Sequence, residues 1–168
     1  KDSELAAAGR ATTFQALGGT GALKIGADFL AQINPQATVY ISNPSWENHR
    51  ALFERAGFKV ENYPYYDAAT HGLDFDAMLA FFKELAPNSI VVLHACCHNP
   101  TGVDPSLTQW EAIANVIKER QLVPFLDIAY QGFGDGLDED AQVVRLFATL
   151  DIPMFISSSF SKSFSLYS

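Results

Sequence analysis

With 168 residues the chain has the size of one domain and can bury well over half of its unfolded surface. Hydrophobic residues make up 48% and charged residues 18%, with 13 phenylalanines, a balance that excludes a disordered chain. Eleven basic residues against 19 acidic ones leave a net charge of −8 and no basic stripe to neutralise a phosphate backbone, so nucleic acid is not an expected partner.

The first residues, KDSELAAAGRATT, lack the basic start and long apolar centre of a secretory signal, and no apolar run approaches a membrane span. A cytoplasmic location and no membrane partner are expected. From there the periodicity predicts a helix over Ala22 to Ile33, a buried strand over Thr38 to Ser42, and a helix over Glu47 to Ala56 that Gly57 stops. A strand over Phe58 to Tyr63, a helix over Phe75 to Leu85 and a strand over Ile90 to Ala95 follow. The capping box Thr108-Gln-Trp-Glu111 predicts the start of a helix running to Arg120. Strands over Leu122 to Ile128 and Met154 to Ser158, separated by a helix over Asp138 to Leu150, complete the chain. Helices alternating with short, continuous apolar strands imply crossover connections, hence a three-layer α/β fold whose mainly parallel sheet carries helices on both faces. The acidic cluster Asp135, Asp138, Glu139, Asp140 reads as a solvated helix start.

In such sheets ligands collect beyond the carboxyl ends of the strands. Gly18-Gly-Thr-Gly21, before an apolar helix, is able to point backbone N–H groups and a hydroxyl at an anion, or else is a turn serving chain geometry alone. It fails the dinucleotide fingerprint, because Lys24 stands where the third glycine belongs, and it lacks the Gly-Lys-Ser/Thr of a Walker loop. Asp127, closing VPFLD, needs a cation or strong donor: a protonated pyridine nitrogen, a helix end or a local ion pair. Lys162, reached from the apolar Pro153-Met-Phe-Ile156, is either an amine whose burial lowers its pKa enough for Schiff-base chemistry or a snorkelling surface lysine. Trp46 is large enough to stack on a planar ligand or to fill core, and Trp110, inside a helix, packs.

Strand alternation would put His94, Cys96 and His98 on one face, but His49 and His71 offer no second ligand pair with the spacing of a structural zinc site. No metal is expected. Core packing is the reading for the cysteines, and supporting hydrogen bonds for the histidines. Cys96 and Cys97 are the only cysteines and, being adjacent, are poorly placed to bridge; reduced thiols fit a cytoplasmic protein.

Taken together, GGTGALKIGADFL, NPSWENH, ACCHNPTGVDP, FLDIAYQGF and SSFSKSFSLY resemble, in that order, the core of the class I pyridoxal phosphate-dependent aminotransferases, the bacterial aspartate and aromatic amino acid enzymes of fold type I. The resemblance implies pyridoxal 5'-phosphate as cofactor and makes Lys162 the Schiff-base lysine that carries a proton between substrate α-carbon and cofactor C4′. Asp127 would keep the pyridine nitrogen protonated, with His49 supporting Asp127 from behind. Asn99 and Tyr130 would bond the phenolic oxygen, Trp46 would stack on the ring, and Gly19, Thr20 and Ser159 would hold the phosphate. Asn99 and Trp46 would also approach the substrate α-carboxylate.

The implied reaction moves the amino group of an L-amino acid, aspartate or aromatic, to 2-oxoglutarate; Phe160 and DIAYQGFGDG look nearer the aromatic branch. The partners implied are amino acid and 2-oxo acid substrates and, for the full-length protein, a second copy in a homodimer. After SLY, members continue with Gly/Asn-Glu-Arg, whereas Ser168 stands here. By this resemblance residues 1–168 are part of the large cofactor-binding domain, lacking the small domain, the N-terminal arm, the phosphate-clamping and substrate-binding arginines and one strand of the sheet. Such a chain alone is expected to be inactive, which keeps a non-catalytic cofactor- or partner-binding fragment open beside the aminotransferase, and a decarboxylase or lyase as a third reading.

Overall fold

A computed structural model describes residues 4–167; Lys1, Asp2, Ser3 and Ser168, part of the expected 1–168 unit, lie outside them. In chain order the elements are α1 (Glu4–Ala7), α2 (Gly18–Ile33), β1 (Thr38–Asn43), α3 (Glu47–Arg55), β2 (Lys59–Pro64), β3 (Tyr66–Asp67), β4 (Gly72–Leu73), α4 (Phe75–Glu84), β5 (Ile90–His94), α5 (Leu107–Glu119), β6 (Val123–Ile128), α6 (Gln142–Thr149) and β7 (Phe155–Ser158). Every expected helix and strand is present. The short α1 and the β3–β4 hairpin carry too little periodicity to be read from sequence.

Five strands form one sheet in the order β2-β1-β5-β6-β7, and every pair in it is parallel. The chain moves outward from β1 to β2, crosses back to β5 and then proceeds the other way, so the strand order reverses beside β1 and β5. That reversal opens a crevice at the carboxyl ends of the strands.

Alternation along the strands sends successive side chains to two separate cores. On one face Ile90, Val92 and Phe125 pack with Leu23, Ala27 and Leu30 of α2 and Phe53 of α3. On the other, Val91, Leu93, Leu126 and Ile128 meet Met78 and Phe82 of α4, Ile113 and Ile117 of α5, and Phe147 of α6. With helices on both sides every residue of β5 is buried, which is why it reads as an unbroken apolar run. At Gly26 an added Cβ would lie 2.5 Å from the Phe125 ring, so α2 rests on the sheet where a side chain is missing. Trp110 is buried in α5, as expected. Among the described residues no helix is long and apolar enough to cross a membrane.

Four expectations need correction. The glycine-rich stretch is not a turn before α2 but its first turn, since the helix starts at Gly18. The capping box of α5 is Ser106 with Gln109, not Thr108 with Glu111: Ser106 Oγ accepts from Gln109 N at 3.3 Å and Gln109 Oε1 accepts from Ser106 N at 2.8 Å. The same motif lies two residues earlier, and the helix keeps the expected length.

Asp140 is not part of a solvated helix start. It is buried, and its carboxylate accepts from the backbone N–H groups of Gly132, Gly134 and Asp135 at 2.7–3.0 Å; the helix begins only at Gln142. Finally, β5 stops at His94 and Cys97 has φ 51°, so alternation does not continue through His98. His94 and His98 still meet, with ring centroids 4.3 Å apart, but Cys96 packs in the core beneath α5 and α6.

Candidate active site

Register builds the site. His94 of β5 pairs with Asp127 of β6, which pairs with Ser157 of β7, so three polar residues stand in one row where apolar strands end. A carboxylate at that depth requires a donor. Asp127, 4% exposed, has it in His49: Nε2 of this fully buried ring lies 2.8 Å from Asp127 Oδ2, while Nδ1 lies 3.0 Å from Ser45 Oγ. His49 is placed by α3, whose first turn follows Asn43-Pro-Ser-Trp46 directly out of β1. The Trp46 ring meets His49 edge-on, with centroids 5.4 Å apart.

Behind this pair the rings continue. His94 lies 4.9 Å from His49, and His98 stacks on Tyr65 at 3.9 Å. Burial, then the nearby His49 and His98, hold His94 well below the usual histidine range; burial, then His49, lowers His98 to about 4. Both rings are therefore neutral near pH 7. His98 bonds to Ser42 Oγ and Thr101 Oγ1. His94 departs from the expected supporting role, because neither of its ring nitrogens has a hydrogen-bond partner among the described residues, although the ring lines the crevice.

The crevice is a cavity of about 610 Å³ that collects Gly18–Gly21, Trp46, His94, Asn99, Asp127, Tyr130, Ser159 and Lys162. Every sequence-predicted residue that was to touch a ligand is thus in one place, with His49 against Asp127. One end is the α2 N-terminus, where Leu17 supplies no side-chain cap and the first N–H groups have no intrahelical acceptor. Close approach is what Gly19 provides: a Cβ there would come within 3.1 Å of Ser159 Cβ. Open N–H groups, the Thr20 and Ser159 hydroxyls and the positive end of a 16-residue helix suit an anion such as phosphate.

Lys162 also lines the cavity, half-buried in the turn after β7, its Nζ 4.9 Å from the Tyr130 ring centroid. It has no ion pair among the described residues. Ser163 Oγ donates to Gln131 O at 2.8 Å and Ser159 N to Ile128 O at 2.9 Å, which ties the lysine turn to the loop carrying Tyr130. Sequence reasoning missed Ser161, which also lines the cavity, and the exposure of His94 to it; a hydroxyl beside the lysine was the only signal.

Outside the cavity sits a second polar group. Burial, then Cys97 and Asp140, raise the Cys96 thiol; burial, then Asp104 and Asp140, raise that of Cys97. Both cysteines are free.

An amine, a buried acid backed by His49 and an uncapped helix N-terminus gathered in one cavity at a sheet reversal have the arrangement of a small-molecule site in an α/β fold. Residues 1–168 match the family model "Aminotransferase class I and II", and the chain belongs to that family. It is 64% identical over 166 residues to the aspartate aminotransferase of Pseudomonas aeruginosa, covering 99% of this chain and 42% of that one. To the aromatic-amino-acid aminotransferase of Escherichia coli it is 55% identical over 158 residues, 94% of this chain and 40% of the relative. The crystal structure of the aromatic-amino-acid aminotransferase from Burkholderia pseudomallei, covalently bound to pyridoxal phosphate, superposes with a TM-score of 0.97 at 66% identity, over 98% of this chain and 41% of that one. The chain therefore spans about two-fifths of the length of the relatives it matches.

Proposed function

We propose that residues 1–168 are the cofactor-binding part of a pyridoxal phosphate-dependent aminotransferase that moves the amino group of aspartate or an aromatic L-amino acid to 2-oxoglutarate. The observation that carries it is the convergence of Lys162, Asp127, Tyr130, Asn99, Trp46 and the α2 N-terminus on one cavity. The donor set fits the cofactor at each end: an anion cradle too tight for a side chain at Gly19, and a buried carboxylate whose back oxygen is already taken by His49.

When bound, pyridoxal phosphate would supply an aldehyde for condensation with amines and a ring that takes up electrons from the substrate α-carbon. The chain supplies the rest. Backbone N–H groups at Gly19 and Thr20, with the Thr20 and Ser159 hydroxyls, hold the phosphate. Asp127 keeps a proton on the pyridine nitrogen, and His49 fixes the carboxylate so that one oxygen faces the cavity. Asn99 and Tyr130 donate to the phenolic oxygen, and Trp46 covers the ring and excludes water. Lys162 Nζ is the attachment point and the base that receives the proton leaving the substrate α-carbon. Trp46 and Asn99 border the space for the substrate α-carboxylate. Homodimer assembly and a cytoplasmic location belong to the same reading of the whole protein.

The test is addition of pyridoxal phosphate to the chain, borohydride reduction and peptide mapping. A visible band shifted from that of the free cofactor, with the reduced label on Lys162 and lost in Lys162→Ala, is the expected result. Label scattered over other lysines would overturn the reading.

A further inference from the structure

The two cysteines are the chemistry that the cofactor site leaves unused. Neither they nor Asp140 line the cavity, so a role for them is independent of the proposed function. Because β5 ends before them and Cys97 takes a left-handed backbone, the pair turns toward the loop between β6 and α6. There one ligand atom each from Cys96, Cys97 and Asp140 lie within 4.8 Å of one another.

We propose that Cys96, Cys97 and Asp140 form a binding site for a thiophilic divalent cation of the zinc or cadmium kind, on the flank of the cavity. The spacing fits: metal–sulfur bonds of about 2.3 Å and metal–oxygen bonds of about 2.1 Å give tetrahedral edges of about 3.6–3.8 Å, of the scale of the 4.8 Å within which these ligand atoms already lie. Three protein ligands leave the fourth position for water. Cys96 and Asp140 are each 6% exposed, whereas Cys97 is half-open and provides the way in.

Support around the ligands is already built. Gly132 N and Gly134 N donate to Asp140 Oδ2 and Asp135 N to Oδ1, which orients the carboxylate as outer partners of metal ligands do. On the other side Asp104 accepts from Cys97 N at 2.6 Å and His98 N at 2.8 Å, holding the turn that presents both sulfurs. The charged residues that act on the thiols are Asp104, Asp135 and Asp140, all acidic. None of these three carboxylates has an ion pair with a lysine or arginine among the described residues, so a bound cation would meet uncompensated negative charge. Two thiolates with one carboxylate select a soft or borderline cation over magnesium or calcium.

Binding needs no oxidant: each thiol loses its proton to solvent as its metal–sulfur bond forms, so two protons leave per cation. The Cys97 thiol now donates to Tyr130 O at 3.8 Å, and that bond ends when the proton leaves. Occupancy is thereby felt at the loop carrying Tyr130.

The experiment is titration of the chain with cadmium chloride in a thiol-free reductant, read by the ultraviolet thiolate-to-cadmium band and by calorimetry in two buffers of different ionisation enthalpy. One cation per chain with two protons released is expected, with affinity at least roughly 100-fold lower in Cys97→Ser or Cys96→Ser and roughly tenfold lower in Asp140→Asn, as the loss of one ligand implies. Should Asp140→Asn fail to fold, the partly exposed Cys97→Ser decides, with far-ultraviolet circular dichroism as the control. His49, His94 and Asp127 also bring ligand atoms within 4.8 Å of one another, so His94→Gln is the counter-test. Binding lost in His94→Gln but kept in Cys97→Ser, or the absence of a thiolate band at one equivalent, would overturn the proposal.

Discussion

A carboxylate taken as far out of water as Asp127 stays only where donors replace its hydration, and the chain commits a whole buried histidine to one of its oxygens. His49 is in turn oriented by Ser45, whose Oγ lies 3.0 Å from Nδ1, so both ring nitrogens are engaged. Gly19 shows the same economy at the other end of the cavity. Alanine would suit a helix better by roughly 1 kcal/mol on intrinsic propensity, yet its Cβ would press on Ser159 at 3.1 Å. Gly19→Ala is therefore expected to leave thermal stability nearly unchanged while weakening pyridoxal phosphate binding about tenfold, within the range that overpacking costs. Equilibrium titration of wild type and variant checks this, and equal affinities would show that the cradle is not where the phosphate sits.

Helix α5 illustrates how an element chooses its own start. Both Ser106-Leu-Thr-Gln109 and Thr108-Gln-Trp-Glu111 satisfy the capping pattern, and local sequence cannot rank them. The chain leaves Pro105 extended, with Ser106 at φ −65° and ψ 163°, so the first serine already has the backbone that a cap requires. Ser106→Ala should cost about 1 kcal/mol of stability and Thr108→Ala a few tenths at most, measured by urea denaturation. The reverse order would place the helix start at the later box. In α2 the glycines sit where the helix is packed closely, Gly19 against Ser159 and Gly26 against Phe125.

Across the whole molecule, neutral imidazoles buried behind the cavity make stability depend on pH. His98 falls from an ordinary value near 6.5 to about 4 on folding, chiefly through burial, and His94 is displaced the same way. Between those values the unfolded chain binds more protons than the folded one, so stability falls as pH drops from about 6.5 toward 4 and is fully present above that window. For His98 alone the integrated loss is roughly 3 kcal/mol. Urea denaturation between about pH 7 and pH 4.5 should show this slope, reduced in a His98→Asn variant that still folds at neutral pH. A flat profile would mean the imidazoles are not neutral in the fold.

Much of the molecule could be read in advance, for identifiable reasons. Periodicity and continuous apolar runs determined the alternation of helices with buried strands, because both carry their pattern within ten or so residues. The polar residues at strand ends could be listed for the same reason, and the five motifs in order carried the family resemblance. What local pattern could not supply was pairing. Only the tertiary structure put His94, Asp127 and Ser157 in one row, left the His94 ring without a hydrogen-bond partner among the described residues, buried Asp140 under three backbone donors and brought it to Cys96 and Cys97. Apart from the Asp140 bonds, which close a loop only five to eight positions long, these contacts join residues far apart in the chain or depend on where a strand stops, and register and burial are properties of the assembled sheet rather than of any stretch of chain.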